Sequence, residues 1–298
     1  MQEEDHLNFM KINKLKIIVF GGSGFLGSHV CDKLSDAGHD VTIFDLKESP
    51  WITDKQSMYI GNILDSEAVE SAVNGAEFVF NFAGIADLDI AMDQPVETVK
   101  SNILGNAIIL EAARKAKVQR YVFASSLYVY SRSGGFYRCS KQACESYIDE
   151  YQRQFGLDYT VLRFGSLYGS RTDEKNAIYR FIKDALTHKK ISYYGSPNAL
   201  REYIHVEDAA KASIDVLKDE FLNESVVLTG QEAMRVVDML KILAEILGLP
   251  EKTIEFSEEK YAGHYVRTPY AYQPKMGRKY IPPLHVDLGQ GILQVINE

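Results

Sequence analysis

Short apolar runs alternate along the chain with stretches whose apolar residues recur every three or four positions. KIIVF (16–20), VTIF (41–44), FVFNF (78–82), YVFAS (121–125) and YTVLRF (159–164) are each brief and rich in β-branched or aromatic residues. They read as strands covered on both faces. Between them, FLGSHVCDKLSDAG, SEAVESAVNG, VKSNILGNAIILEAARKA and SKQACESYIDEYQRQFG read as helices, several stopping at a glycine: Gly38, Gly75 and Gly156. Strands joined by helices predict an α/β fold with a doubly wound parallel sheet. Beyond about residue 170 the alternation weakens. AIYRFIKDALTHKK and RVVDMLKILAEILG mix there with short strand-like pieces and Gly/Pro breaks, which predicts a smaller α/β lobe. The expected boundaries are a polar tail over 1–13, the sheet domain over 14–170, rejoined by about 201–218, and the lobe over most of 171–298. No internal repeat or low-complexity segment interrupts this order.

Composition narrows the function classes. A chain of 298 residues with 46% hydrophobic and 25% charged residues is that of an ordinary globular protein. Such a length buries roughly three quarters of its unfolded surface. The net charge of −8 and the lack of a basic stripe argue against nucleic-acid binding. Cys31, Cys139 and Cys144 have no metal-type spacing, and their odd number suits a reducing compartment. The start MQEEDHLNFMKIN is acidic without an apolar core, and no apolar run reaches the roughly 20 residues of a membrane span. The expectation is a cytoplasmic protein with no membrane partner and no metal.

Candidate chemistry begins directly after the first strand, at GGSGFLG (21–27). Gly21, Gly24 and Gly27 form G-x-x-G-x-x-G, with a strand before and a helix after. One glycine permits the tight turn, one lets backbone approach a pyrophosphate, and one lets helix and strand pack closely. The helix then offers N–H groups and its positive dipole end to phosphate. The second strand ends at Asp45, eighteen residues after Gly27. A carboxylate there can accept both ribose hydroxyls and would repel a 2′-phosphate, so NAD is expected over NADP. The sheet is therefore expected to be of the Rossmann type.

With these and later motifs in order, the chain resembles the extended short-chain dehydrogenase/reductases, in the NAD-dependent nucleotide-sugar epimerase/dehydratase family. The resemblance runs from about Lys14 onward. It rests on GGSGFLG, GNILD (61–65), NFAG (81–84), SNILGNAIILEAAR (101–114), FASSLYVY (123–130), YRCSK (137–141), LRFGSLYGSR (162–171) and REYIHVEDAA (201–210). It implies cofactor contacts from Gly21, Ser23, Gly24, Phe25, Leu26, Gly27 and Asp45. It also implies contacts from Asn62 and Ile63 to adenine, from Phe82, Ala83 and Gly84 after the fourth strand, and from Asn102, Tyr137, Lys141 and Phe164. Asn62 replaces the usual aspartate but keeps one acceptor oxygen.

The same resemblance implies that Tyr137, Lys141 and Ser126 are catalytic. Tyr137 would take a proton from a sugar hydroxyl while hydride leaves to nicotinamide. Free tyrosine, with a pKa near 10, is too weakly acidic for this, and a nearby ammonium and the positive nicotinamide would both stabilise its phenolate. Lys141 lies one helical turn away on the same face and would also hold the nicotinamide ribose. Ser126 would orient the sugar alcohol, while Tyr128 and Tyr130 read as packing or pocket-wall aromatics. Cys139 and Cys144 read as small core fillers, and His205 as a structural histidine.

The chain also departs from the family pattern. The connection LYVYSRSGGF between Ser126 and Tyr137 is short, and Gly134 and Gly135 could make its sharp return. A more open sugar pocket is expected on that side. Dehydratases carry an Asp-Glu pair after the orienting hydroxyl; here stand Leu127 and Tyr128, which argues against 4,6-dehydration. Ser166 replaces the usual asparagine on the substrate-phosphate side. Arg201 is the first candidate to grip a substrate diphosphate, with Arg267 second; the alternative for Arg201 is pairing with a surface carboxylate such as Glu202.

The expected function is oxidation and reduction at C4 of a nucleoside-diphosphate sugar. A nucleotide-sugar 4-epimerase leads, with a 4-dehydrogenase or ketoreductase next and a non-catalytic NAD-binding regulator as a minor alternative. The resemblance further implies a homodimer through a four-helix bundle of the helices around 101–115 and 140–154.

Overall fold

The computed structural model describes residues 14–257, 277–280, 282 and 285–297. Its first half alternates strand and helix as the pattern predicts. In chain order come β1 (Lys16–Phe20), α1 (Phe25–Asp36), β2 (Asp40–Asp45), β3 (Gln56–Ile60), α2 (Ser66–Val73) and β4 (Phe78–Asn81). Two short helices follow, α3 (Leu88–Asp93) and α4 (Pro95–Thr98), then a π-helical turn at Val99–Leu104 that runs into α5 (Gly105–Ala116). After these come β5 (Arg120–Ser126), α6 (Gly135–Phe155), β6 (Tyr159–Phe164), β7 (Ser166–Tyr168) and α7 (Ala177–His188). The remainder comprises β8 (Ile191–Tyr194), β9 (Leu200–Arg201), β10 (Tyr203–His205), α8 (Val206–Asp215), β11 (Glu224–Leu228) and β12 (Met234–Arg235). Last come α9 (Val236–Ile246), β13 (Ile254–Ser257), β14 (Arg278–Tyr280) and α10 (Leu288–Asn297).

Eight of these strands form one parallel sheet in the order β14-β11-β6-β5-β4-β1-β2-β3. Alternate side chains of β1 explain why both faces are covered. Ile17 and Val19 enter a cluster with Val30 and Leu34 of α1 and with Ala209 and Ala212 of α8. Ile18 and Phe20 enter another with Val69 of α2, Ile109 of α5 and Ile148 of α6. Each fully buried Val, Ile, Leu or Phe side chain among them contributes about 1.5–3 kcal/mol. The sheet also takes in β11 and β14, which lie outside the 14–170 and 201–218 stretches read from the sequence. A separate cluster, with Phe181 and Ile182 of α7, Met239 and Leu243 of α9 and Ile292 of α10, fills the smaller lobe.

Strand order reverses between β1 and β4, with β2 on one side and β5 on the other. Crevices at the carboxyl ends of strands flanking such a reversal are where open α/β sheets hold ligands. The glycine turn after β1 and the NFAG segment after β4 meet there.

Candidate active site

The glycine turn owes its shape to atoms that leave no room for side chains. Gly21 has φ +75°, and a Cβ on it would lie 2.7 Å from Ala83 N. A Cβ on Gly27 would lie 2.2 Å from the Gly21 carbonyl oxygen. Gly24 caps α1 without a side chain, so the first-turn N–H groups of the helix face the crevice uncovered by a capping group. Phe25 turns its ring edge toward His29, and Leu26 packs on the core, which leaves their backbone N–H groups for the phosphates. Asp45 closes the site at the end of β2, its carboxylate accepting the N–H groups of Ser23 at 3.0 Å and Leu46 at 2.7 Å. A cradle that excludes Cβ atoms, an uncapped helix start and a fixed carboxylate fit the pyrophosphate and adenine ribose of NAD.

Asn62 and Ile63 form the turn ahead of α2. The Asn62 side-chain oxygen accepts the Leu64 N–H at 2.9 Å, so adenine would share that oxygen through its second lone pair. Ile63 reaches under α5, where Gly105 makes room for it. Phe82 stacks on Phe80 beside the core, while Ala83 N donates to Asn81 Oδ1 at 3.1 Å. Gly84 has φ +137° and sits against Asn102. Asn102 accepts the Ile85 N–H at 2.7 Å, donates to the Ile85 carbonyl at 2.9 Å and donates to Ser140 Oγ at 2.9 Å. Ser140 in turn donates to the Tyr137 carbonyl at 2.8 Å. Asn102 thus clamps the NFAG loop to the helix that carries Tyr137. Sequence reasoning named Asn102 as support but missed Ser140, whose signal is its place between Tyr137 and Lys141.

Gly134 (φ +98°) and Gly135 (φ +49°) make the return into α6. A Cβ on Gly134 would meet the Tyr128 ring at 2.5 Å. The turn brings Tyr137 to Ser126, whose hydroxyl favours the ionised phenol. Ser126 ends β5 and also accepts the Tyr128 N–H at 3.3 Å. Tyr128 meets the Tyr137 ring edge-on at 6.2 Å and packs as expected rather than serving as an acid. Lys141 Nζ donates to the Ala124 carbonyl at 2.7 Å, 4.6 Å above the Phe123 ring and 5.8 Å from the Tyr137 ring centre.

Among these protein groups alone, burial wins over charge. It pushes the Tyr137 phenol up to about 12, against the opposing influence of Ser126. Burial also lowers the Lys141 ammonium, with Cys144 and Glu145 acting the other way. The expected acidification of Tyr137 by Lys141 is therefore not present in the protein by itself. Burial disfavours the phenolate unless a cation stands at close range, and Lys141 gives one of its N–H protons to the Ala124 carbonyl.

On the substrate side, Phe164 lies beside Ser126 in the sheet register, with its ring in the core. Ser166 opens β7, its N–H donated to the Glu202 carbonyl at 2.8 Å. Arg201 on β9 is 8% exposed and donates from Nη1 to the Leu200 carbonyl at 3.0 Å. Arg267 lies outside the described residues. His205 is buried edge-on against Tyr168, with centroids 5.2 Å apart, in keeping with a structural role. Cys144 is a core filler, its thiol 3.1 Å from the Asn102 carbonyl, but Cys139 is exposed, which corrects its expected place. At 100° per residue, two positions from Tyr137 turns a side chain to the far side of α6.

A cavity of roughly 530 Å³ lies apart from this site, beside α1, between Asp32, Trp51 and Arg171. None of the residues assigned above lines it, and its Asp32–Arg171 pair at 2.7 Å neutralises itself. Among the described residues, no group of three or more His, Cys, Asp or Glu could hold a metal ion, and no helix is long and apolar enough to cross a membrane.

The NAD-dependent epimerase/dehydratase family matches residues 17–228. The chain belongs to that family. It is an NAD-dependent enzyme of the nucleotide-sugar epimerase/dehydratase kind, with NAD as cofactor. Related proteins include one from Methanocaldococcus jannaschii, named provisionally as a UDP-glucose 4-epimerase, 29% identical over 94% of this chain and 97% of its own. A UDP-N-acetyl-alpha-D-glucosaminuronate decarboxylase of Bacillus cytotoxicus is 26% identical over 84% of this chain and 86% of its own. The crystal structure of Thermotoga maritima UDP-glucose 4-epimerase with UDP-glucose superposes with a TM-score of 0.82 at 25% identity, covering 95% and 98% of the two chains. The decarboxylase shows that relatives of this family member carry out more than one reaction.

Proposed function

We propose that the protein is an NAD-dependent nucleoside-diphosphate-sugar 4-epimerase. The observation that carries this reading is the Ser126 hydroxyl standing by the buried Tyr137 phenol, with Lys141 alongside, next to the glycine cradle. Ser126 holds the C4 hydroxyl of the sugar toward Tyr137, and Tyr137 as phenolate accepts its proton. NAD, held by the glycine cradle and Asp45, would supply the acceptor and donor of the C4 hydride. Tyr137 then gives the proton back to the C4 oxygen after the 4-keto sugar has turned over, so protons and electrons balance with no net redox change. In this reading Arg201 and Ser166 bind the substrate diphosphate, with Arg267 as the second candidate arginine. Leu127 and Tyr128 offer no acid or base for elimination across C5 and C6, which disfavours 4,6-dehydration. Names of relatives that include UDP-glucose 4-epimerases support the same choice.

Absorbance of reduced nicotinamide, followed with UDP-, GDP- and dTDP-sugars, tests the reading. The expected result is conversion of one sugar into its C4 epimer with no accumulation of NADH. Stoichiometric NADH with a released keto sugar would instead make the protein a 4-dehydrogenase or ketoreductase. We also propose a cytoplasmic homodimer. Val99, Leu104, Tyr147 and Phe155, on the π-turn and α6, are each about half exposed or more, an apolar surface suited to a second copy. Sedimentation velocity would report its mass.

A further inference from the structure

Glu145 stands one helical turn beyond Lys141 and two beyond Tyr137, so α6 carries the three in a row. Its carboxylate is gripped by Arg163 of β6, Nε to Oε1 at 3.0 Å and Nη2 to Oε2 at 2.6 Å. The Arg163 side chain is 1% exposed and that of Glu145 11%. Oε1 also accepts the hydroxyl of Ser125, the neighbour of Ser126, at 2.5 Å. Arg163 Nη1 donates to the Tyr130 hydroxyl at 2.6 Å, at the far end of the 3₁₀ turn that Ser126 begins. The Gly277 N–H reaches the same oxygen at 2.9 Å. One buried ion pair therefore fastens the helix bearing Tyr137 to the strand and the turn bearing Ser126.

Stability alone gives a weak reason for such a pair, because apolar replacements of buried ion pairs are often as stable or more so. Its geometry offers a better one. Arg163 occupies both carboxylate oxygens, so Glu145 is held at its post rather than released to clasp the ammonium directly. Lys141 keeps its bond to Ala124 while a fixed negative charge stands one turn away. The titratable groups facing Lys141 are Tyr137, Cys144 and Glu145 on its own helix; from β5 it meets the Ala124 carbonyl and the Phe123 ring. Burial pushes the Cys144 thiol up to about 12, so it is neutral, and Glu145 is left as the anion on that side.

We propose that Glu145, fixed by Arg163, is a positioning residue for the Tyr137–Lys141 pair: it seats α6 against Ser126 and faces the buried ammonium with an immobile negative charge. Its kinetic consequence rests on the reaction proposed above; its electrostatic consequence does not. Glu145→Gln takes the compensating negative charge from buried Arg163 and serves only as a stability control, since breaking such a pair is strongly destabilising. The informative protein is the double variant Glu145→Leu/Arg163→Met, studied with NAD bound. Carbon-13 NMR of ε-labelled lysine, assigned with Lys141→Met, follows the Lys141 titration. The expected outcome is thermal unfolding close to wild type, a Lys141 midpoint moved to lower pH, and kcat reduced about a hundredfold with little change in KM. An unmoved Lys141 midpoint with wild-type kcat in the folded double variant overturns the proposal. Should the wild-type protein turn over no nucleotide sugar while the midpoint still moves, the reaction is refuted and the role of Glu145 stands.

Discussion

Tyr137→Phe lowers kcat by about a thousandfold or more, while the dissociation constant for NAD stays within about twofold. The substitution removes one oxygen and keeps the ring that packs against Tyr128. Ser126, Lys141, the glycine cradle and Asp45 are untouched, so the dinucleotide is held as before. What disappears is the proposed acceptor for the C4 proton, and the Cys144 thiol, which faces the Asn102 carbonyl inside the fold, does not replace it. Stopped-flow turnover and calorimetric NAD titration measure the two quantities separately. A variant with near wild-type kcat would move the base to another residue.

Gly27→Ala has its large effect on binding instead. The new Cβ would stand 2.2 Å from the Gly21 oxygen and 2.9 Å from Gly22 Cα. Neither contact can relax by turning a side chain, because both partners are backbone. The Gly21 carbonyl also accepts the Gly24 N–H at 3.1 Å, so pushing it away opens the turn itself. NAD affinity is expected to fall about a hundredfold, equivalent to about 2.7 kcal/mol, with far-ultraviolet circular dichroism unchanged because the sheet core lies behind the turn. Unaltered affinity would show that the pyrophosphate does not rest on this turn.

The sheet was legible where strands are buried on both faces, since runs such as KIIVF and YTVLRF carry their own signal. It was not legible at β3 and β11. QSMYI at the sheet edge is half exposed, so its polar residues dilute the pattern. ESVVL opens with two polar residues, which leaves an apolar run of three that does not stand out from the mixed segments around it. The stretch 99–116 read as one helix, whereas its first turn is π-helical and holds the buried Asn102. Tertiary hydrogen bonds to Ile85 and Ser140 set that turn, and periodicity does not encode them. The Tyr137–Lys141 spacing, the glycine turn and Asp45 were visible because their chemistry is local. Glu145 and Arg163 were not, because eighteen positions separate them and only the packing of α6 against β6 brings them together.

In the proposed reaction the Tyr137 phenol, which burial pushes up to about 12, would be made acidic enough to serve as a base by bound NAD together with Lys141. Ultraviolet difference titration of the wild type against Tyr137→Phe isolates this one tyrosine. Without NAD, its ionisation is expected near 12; with saturating NAD, it falls well below the ordinary tyrosine value of about 10. A Tyr137 signal that stays near 12 in the NAD complex would contradict the account.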